Sequence, residues 1–209
     1  FMDPKDLGVG EEPKRRKEMR AWKPYPWDPD RWEGKGLPPE VETLMTKGAH
    51  VEPTTEQGAF EVKQYPFPSG EALAECIFEA DRSLAVGHME FVPDEEVREV
   101  LDTCIVHPWL IVQQGAKWRA CHDYSVGTNR SGRTAPFGLP STWDVKRVVK
   151  PSTRFVKYDL RDGFYAVPVE RASRRRLLMR HPATGRLMQC SRLPFGYLDS
   201  PRLFCSVSE

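Results

Sequence analysis

Apolar residues first recur at helical spacing at Leu73, Ile77, Ala80 and Leu84, which predicts an amphipathic helix over 70–85. Ser69 offers its N-cap, and Glu71 puts an acid in the first turn. Pro93, followed by Asp94, Glu95 and Glu96, opens a second helix, with Val97, Val100, Leu101 and Cys104 on its buried face. The pattern then turns strand-like. Trp109–Gln113 and Trp118–Tyr124 flank Gln114-Gly-Ala, a hairpin turn. Residues 128–140 are polar and rich in Gly and Pro, so a loop is expected there. Ser141-Thr-Trp-Asp144 caps a short helix through Val149. Phe155, Val156 and Tyr158 favour a strand, and a turn or short helix follows from Gly163. Leu177–Arg180 and Arg186–Cys190 form a hairpin around His181-Pro-Ala-Thr-Gly185. Ser200-Pro201 begins a last helix with Leu203, Phe204 and Val207 on one side. This order is neither all-helical nor a doubly wound sheet, and it fits an α+β domain.

The N-terminal third has no such periodicity. Residues 1 to about 50 combine a basic run, Lys14–Lys17, with proline-rich pieces and three tryptophans, Trp22, Trp27 and Trp32. Residues 51–68 also read as irregular. Residues 1–68 are therefore expected to form an arm that packs on the domain or on a partner, and residues 69–209 the domain itself. No apolar run approaches the length of a membrane span, and the first residues show no secretory signal, so no membrane contact is expected. The five cysteines are scattered, without a C-x-x-C pair, which argues against a disulfide framework and a zinc site and for an intracellular, reducing compartment. The chain begins at Phe1 and stops at Glu209 within a predicted helix, so a fragment of a longer reading frame is expected. Net charge is +1, but from residue 144 onward 14 Lys and Arg face 6 Asp and Glu. That asymmetry suggests nucleic-acid contact. Its densest part holds Arg171, Arg174, Arg175, Arg176 and Arg180: either a solvated surface or phosphate neutralisation.

Candidate chemistry centres on Phe155–Pro168. The apolar run ends on Asp159, with Asp162 and Gly163 just beyond. A carboxylate at a strand end before a glycine turn can hold Mg²⁺ against a phosphate; two solvated turn acids are the other reading. Trp118-Arg-Ala-Cys-His-Asp-Tyr124 lies upstream and Leu193-Pro-Phe-Gly-Tyr-Leu-Asp-Ser-Pro-Arg-Leu-Phe204 downstream. In this order, over roughly residues 105 to 209, the three blocks resemble the reverse transcriptases of retroelements. They match the fingers strand W-R-x-x-x-D-[FY], motif A and motif B of that family. The Ser-Pro-Arg-x-Phe ending and the Asp-Gly-Phe-Tyr core at 162–165 lean to the DIRS type over the Ty3 type.

The resemblance implies a fingers subdomain and part of a ferredoxin-like palm. It implies an RNA-directed DNA polymerase that extends a primer with dNTPs on an RNA or DNA template by two-Mg²⁺ nucleotidyl transfer. Asp159 would be the catalytic, metal-bridging carboxylate, with the Leu160 carbonyl as second metal contact. Asp162 would orient backbone around the triphosphate. Gly163 and Phe164 would floor the nucleotide pocket, the Phe164 ring leaving no room for a 2′-hydroxyl; a purely core Phe164 is the other reading. Arg119 would meet the α-phosphate, or else be a surface strand arginine. Relatives place a Lys on the hairpin before the Trp-Arg pair. Here the hairpin reads Gln113-Gln-Gly-Ala, and Lys117, directly before Trp118, is the cation available for that contact. Phe195 would border the nucleotide, Gly196 would let the template lie against backbone, and Arg174, Arg175 and Arg176 would line the template-primer. The dispersed histidines receive no catalytic role. The family's motif C, [YF]-x-D-D, does not occur in this chain, which is therefore expected not to polymerise alone. The alternative is a domesticated or decayed module that binds nucleic acid or serves a structural role.

Overall fold

A computed structural model describes residues 27–51, 58–132, 134–139, 141–156, 160 and 162–208. Its centre is the predicted hairpin, β6 (Leu178–Arg180) and β7 (Leu187–Cys190). β7 pairs antiparallel with β2 (Met89–Phe91), and β6 pairs parallel with β3 (Ile105–His107). β3 pairs parallel with β1 (Phe60–Glu61), completing a mixed five-stranded sheet in the order β1-β3-β6-β7-β2. A separate hairpin, β4 (Trp109–Gln114) and β5 (Lys117–His122), turns at Gly115-Ala116. Together with its helices this is an α+β architecture.

Period-two alternation sends the central strands' side chains into two cores. Met179, Met188, Cys190 and Met89 join Trp109, Tyr124 and Leu193 in the larger one. Leu178, Leu187 and Val106 join Val92 and Val100 in the smaller. Gln189, on the smaller-core face, instead donates to Glu90 directly across the β2–β7 register.

The helices differ from expectation in instructive ways. α1 (Pro39–Lys47) forms where irregular chain was expected. Pro39 occupies its first position, where a missing N–H costs nothing, and Val41, Leu44 and Met45 are buried. Trp27 Nε1 donates to the Met45 carbonyl. α2 (Gly70–Val86) starts as predicted, with the Ser69 hydroxyl accepting from the Ala72 N–H. Of the expected Leu73, Ile77, Ala80 and Leu84 only Ala80 is fully buried, and its companions are Ala72, Cys76 and Ser83. Small residues there let the helix lie close to the sheet. α3 (Val97–Thr103) begins later than expected, because Pro93–Glu96 is spent on a turn closed by Glu96 N–H to the Pro93 carbonyl. α4 (Thr128–Ser131) replaces the start of the expected 128–140 loop. α5 (Thr142–Val148) carries the predicted cap, with Ser141 and Asp144 bonded reciprocally, but buries no residue. α6 (Ser200–Ser208) packs Leu203, Phe204 and Val207 on the larger core.

The strand expected from Phe155 is not seen in its described part. Phe155 and Val156 are highly exposed, and no described strand pairs with them. Apolar, branched composition favours a strand only when a neighbour takes up its hydrogen bonds. Tyr158 lies outside the described residues. The strands β1, β2 and β3 were not expected; each is two or three residues long, too short for an alternating pattern.

A buried histidine joins α4 to the sheet. His107 Nδ1 donates to the Leu178 carbonyl, and its Nε2 accepts from the Thr128 N–H. This fixes one neutral tautomer, since protonated Nε2 has no lone pair for Thr128. Gly127 makes the contact possible: a Cβ there would sit 2.3 Å from His107 Nε2. Burial lowers the pKa of His107 from 6.5 to about 4. It does the same for His88, and for His122, lowered to about 3. A depressed histidine pKa means that the unfolded chain takes up the proton first. Stability is therefore full above pH 6.5 and falls as pH drops towards 4. His107 alone accounts for a loss of about 2 kcal/mol at pH 5. Urea unfolding at pH 7 and pH 5 measures this, and an unchanged midpoint would refute it.

Candidate functional site

An open cleft of about 350 Å³ lies where β5, α2 and the Gly163–Ala166 turn meet. Arg119 reaches it from β5, Asp162 and Tyr165 from the turn, and Phe195 from the loop before α6. These residues come from the three sequence blocks described above. α2 supplies Glu75, Glu79 and Arg82, none of them anticipated from sequence. Residues Glu79 and Arg82 are a polar i,i+3 pair on α2. Nothing in the helical period says which polar residues meet another element.

Arg82 organises the cleft's floor. Its Nη1 donates to Glu79 Oε1 at 2.8 Å, and its Nη2 to Asp162 Oδ2. The Arg82 side chain is only 11% exposed. Burial raises the Glu79 carboxyl above the ordinary carboxylate range, and Arg82 offsets this in part. For Arg82 itself burial works to lower the pKa, but Glu79 and Asp162 outweigh it and the net shift is upward. Asp162 is the one non-glycine residue of positive φ among the described residues, at φ 56° and ψ 36°. A left-handed non-glycine costs about 1 kcal/mol or more, so its surroundings must hold it there. The turn then closes through Tyr165 N–H to the Asp162 carbonyl and Val167 N–H to the Phe164 carbonyl.

Phe164 stands beside this floor. Its ring lies 4.6 Å from that of Phe195 and 5.6 Å from that of Phe204, centroid to centroid. It is partly buried and packs on the larger core, and it also contacts Phe195, which lines the cleft. A Cβ on Gly163 would come within 3.1 Å of the Phe204 ring. Tyr165 is buried and stacks on His88 at 4.0 Å, with the planes 5° apart.

Other sequence-selected residues fall elsewhere. Lys117 is exposed at the hairpin tip, opposite Gln114, outside the cleft lining. Arg174 donates to Glu90 and to the Val169 carbonyl, Arg175 pairs with Glu99, and Arg176 donates to the Val51 carbonyl. Much of that basic cluster is thus engaged within the protein. Asp159 lies outside the described residues. Leu160 is described and exposed. Among the described residues no group of three or more His, Cys, Asp or Glu is placed to hold a metal ion. The Asp162 carboxylate is occupied by Arg82, so the described side chains do not by themselves make an Mg²⁺ donor set.

Gly196 meets protein backbone: at φ +94°, a Cβ there would stand 2.4 Å from the His122 carbonyl oxygen. Asn129 secures the same loop, donating to the Gly196 carbonyl at 2.7 Å and accepting from the Leu198 N–H at 2.8 Å. Gly196→Ala combines backbone strain with a clash against an immobile carbonyl, so a loss of roughly 2–4 kcal/mol is expected. Chemical denaturation of the variant measures it, and a change near zero would contradict the close approach.

No protein-family model matches the chain, and no curated protein matches it. Among solved structures the chain is similar to the foamy viral protease-reverse transcriptase in complex with double-stranded DNA, at 21% identity and a TM-score of 0.44. The match covers 72% of this chain and 24% of the other, so the chain spans about a quarter of that protein's length. A likeness at this level does not establish a family.

Proposed function

We propose that the chain is the fingers and N-terminal palm portion of a retroelement reverse transcriptase, and that its cleft receives the triphosphate end and sugar of a dNTP. One observation supports this above the rest. Arg119, Asp162 and Phe195 belong to three blocks that are far apart in sequence and each resemble motifs of one family, and they line one cleft. In this reading Arg119 binds phosphate oxygens in the plane of its guanidinium. The Asp162 turn presents backbone N–H groups to the triphosphate, and the Phe164 ring restricts the sugar's 2′ side. Asp159 and the Leu160 carbonyl would hold Mg²⁺, which when bound neutralises phosphate charge and activates the primer hydroxyl. Template-primer of RNA or DNA would be the partner. The ending Ser200-Pro-Arg-Leu-Phe204 supports a DIRS-type over a Ty3-type lineage.

A nucleotide-binding measurement on the 209-residue chain tests the reading. With Mg²⁺ present, Arg119→Ala is expected to weaken dATP binding about tenfold, the worth of one charge-assisted contact. Equal affinity in wild type and variant would remove Arg119 from the site. Phe164→Ala is expected to bring ATP affinity up towards that of dATP, and an unchanged ratio would leave Phe164 a core residue only.

A second reading, a nucleic-acid-binding or structural module, is favoured by the exposed surface around α5. Trp143 is 69% exposed with Lys146 Nζ 4.5 Å above its ring, and Arg147, Lys150 and Arg154 follow on exposed positions. A basic surface with an open aromatic suits a single strand without sequence preference. Its binding to single-stranded DNA should weaken steeply between roughly 50 and 200 mM salt. Salt-independent binding, or none at low salt, would exclude it.

A further inference from the structure

We propose that Arg82 is a positioning residue: it holds the Asp162–Ala166 turn in the conformation that sets Phe164 against the nucleotide's sugar. The proposal rests on the nucleotide reading of the cleft.

Three features carry it. The turn begins on a left-handed aspartate whose side chain makes no hydrogen bond to the turn's own backbone N–H groups. Its carboxylate is met by Arg82, 80 positions upstream on a different element. Second, the guanidinium is fixed on both sides. Glu79, one turn earlier on α2, takes Nη1 and so sets the orientation in which Nη2 meets Asp162. α2 is itself anchored to the sheet by its buried Ala72–Cys76–Ala80 stripe, so the turn is referenced to the rigid part of the fold. Third, the residue two places after Asp162 is Phe164, whose ring contacts those of Phe195 and Phe204. A turn released from Arg82 shifts that ring relative to Phe195 at the cleft.

A lysine at position 82 carries the charge but only one compact donor head, so it can hold Asp162 without the two-sided geometry. Arg82→Met removes the tie and keeps most of the apolar stem. Hydrogen exchange of the amides of residues 163–167 reads the turn directly in the apo chain. Exchange at least tenfold faster is expected in Arg82→Met, with most of the protection restored in Arg82→Lys and the β6–β7 amides unaffected. The dATP-to-ATP affinity ratio, measured calorimetrically on the same proteins, should fall several-fold towards one in Arg82→Met and recover in Arg82→Lys. Arg119→Ala should instead weaken both nucleotides together.

Unchanged exchange at 163–167 in Arg82→Met would overturn the proposal while leaving the nucleotide reading intact. Faster exchange with an unchanged nucleotide ratio would reduce Arg82 to a structural tie and also overturn it. If the wild-type chain binds neither nucleotide, the nucleotide reading fails and the proposal with it, a result distinct from the other two. Loss of β6–β7 protection in Arg82→Met would mark global unfolding; Asp162→Asn, which removes the charge of the same pair and still suits a left-handed position, is then read for faster exchange at 163–167, and unchanged exchange overturns the proposal.

Discussion

The β6–β7 hairpin constrains everything else in this protein. Its apolar residues are buried on both faces, so the direction of each commits it to one of two cores. A one-residue slip would exchange Leu178 and Leu187 for Met179 and Met188 and place every neighbour's partner on the wrong side. The register also aligns Glu90 with Gln189, a polar pair on the smaller-core face, which Arg174 then joins. The arginine cluster after Glu170 is thereby drawn into the structure. Arg174 and Arg176 fasten the Arg171–Arg176 turn to β2 and to the segment after α1.

The cleft is a consequence of how three other segments attach to that centre. The β4–β5 hairpin is held through Trp109, whose Nε1 donates to the Arg180 carbonyl at the end of β6. Gln64 acts as a further edge partner, its side-chain amide bonding to both the N–H and the carbonyl of Trp109. The loop after β7 returns over β5 because Gly196 tolerates the His122 carbonyl and Asn129 bonds the loop on both sides. Between them the Asp162 turn is held by its own hydrogen bonds, by the ring contacts of Phe164 and Tyr165, and by Arg82 of α2. The cleft's charge follows from this: Glu75, Glu79 and Asp162 face Arg82 and Arg119, and Arg82 is shared between two of the acids. Arg119, from β5, is the other cation of the cleft lining.

Elements with a strong local rule were legible in the sequence. Ser69 and Ser141 capped their helices because a side-chain hydroxyl next to an orphan N–H needs no tertiary help. The two hairpins followed from Gly-containing turns between apolar runs, and the final helix from Ser200-Pro201. The α+β class followed from their order. Of the site, the sequence pointed to Arg119, Asp162 and Phe195 through their motifs, and the fold brought them to one cleft.

What tertiary structure decided has a common physical cause: it depends on partners distant in the chain. Strands of two or three residues exist only because a neighbour accepts their hydrogen bonds, while Phe155 and Val156, better strand formers by composition, stay exposed without one among the described residues. α2 turned its small residues inward because close approach to the sheet favoured them over its bulkier stripe. Arg82 and Glu79 look like any surface i,i+3 pair until the Asp162 turn is set beside them. Gly196 is a turn glycine in sequence and a site of backbone contact with β5 in space. Local propensity and capping, acting over a few residues, were thus determined by the sequence alone; burial, pairing and charge compensation, acting across the whole chain, were decided only when it folded.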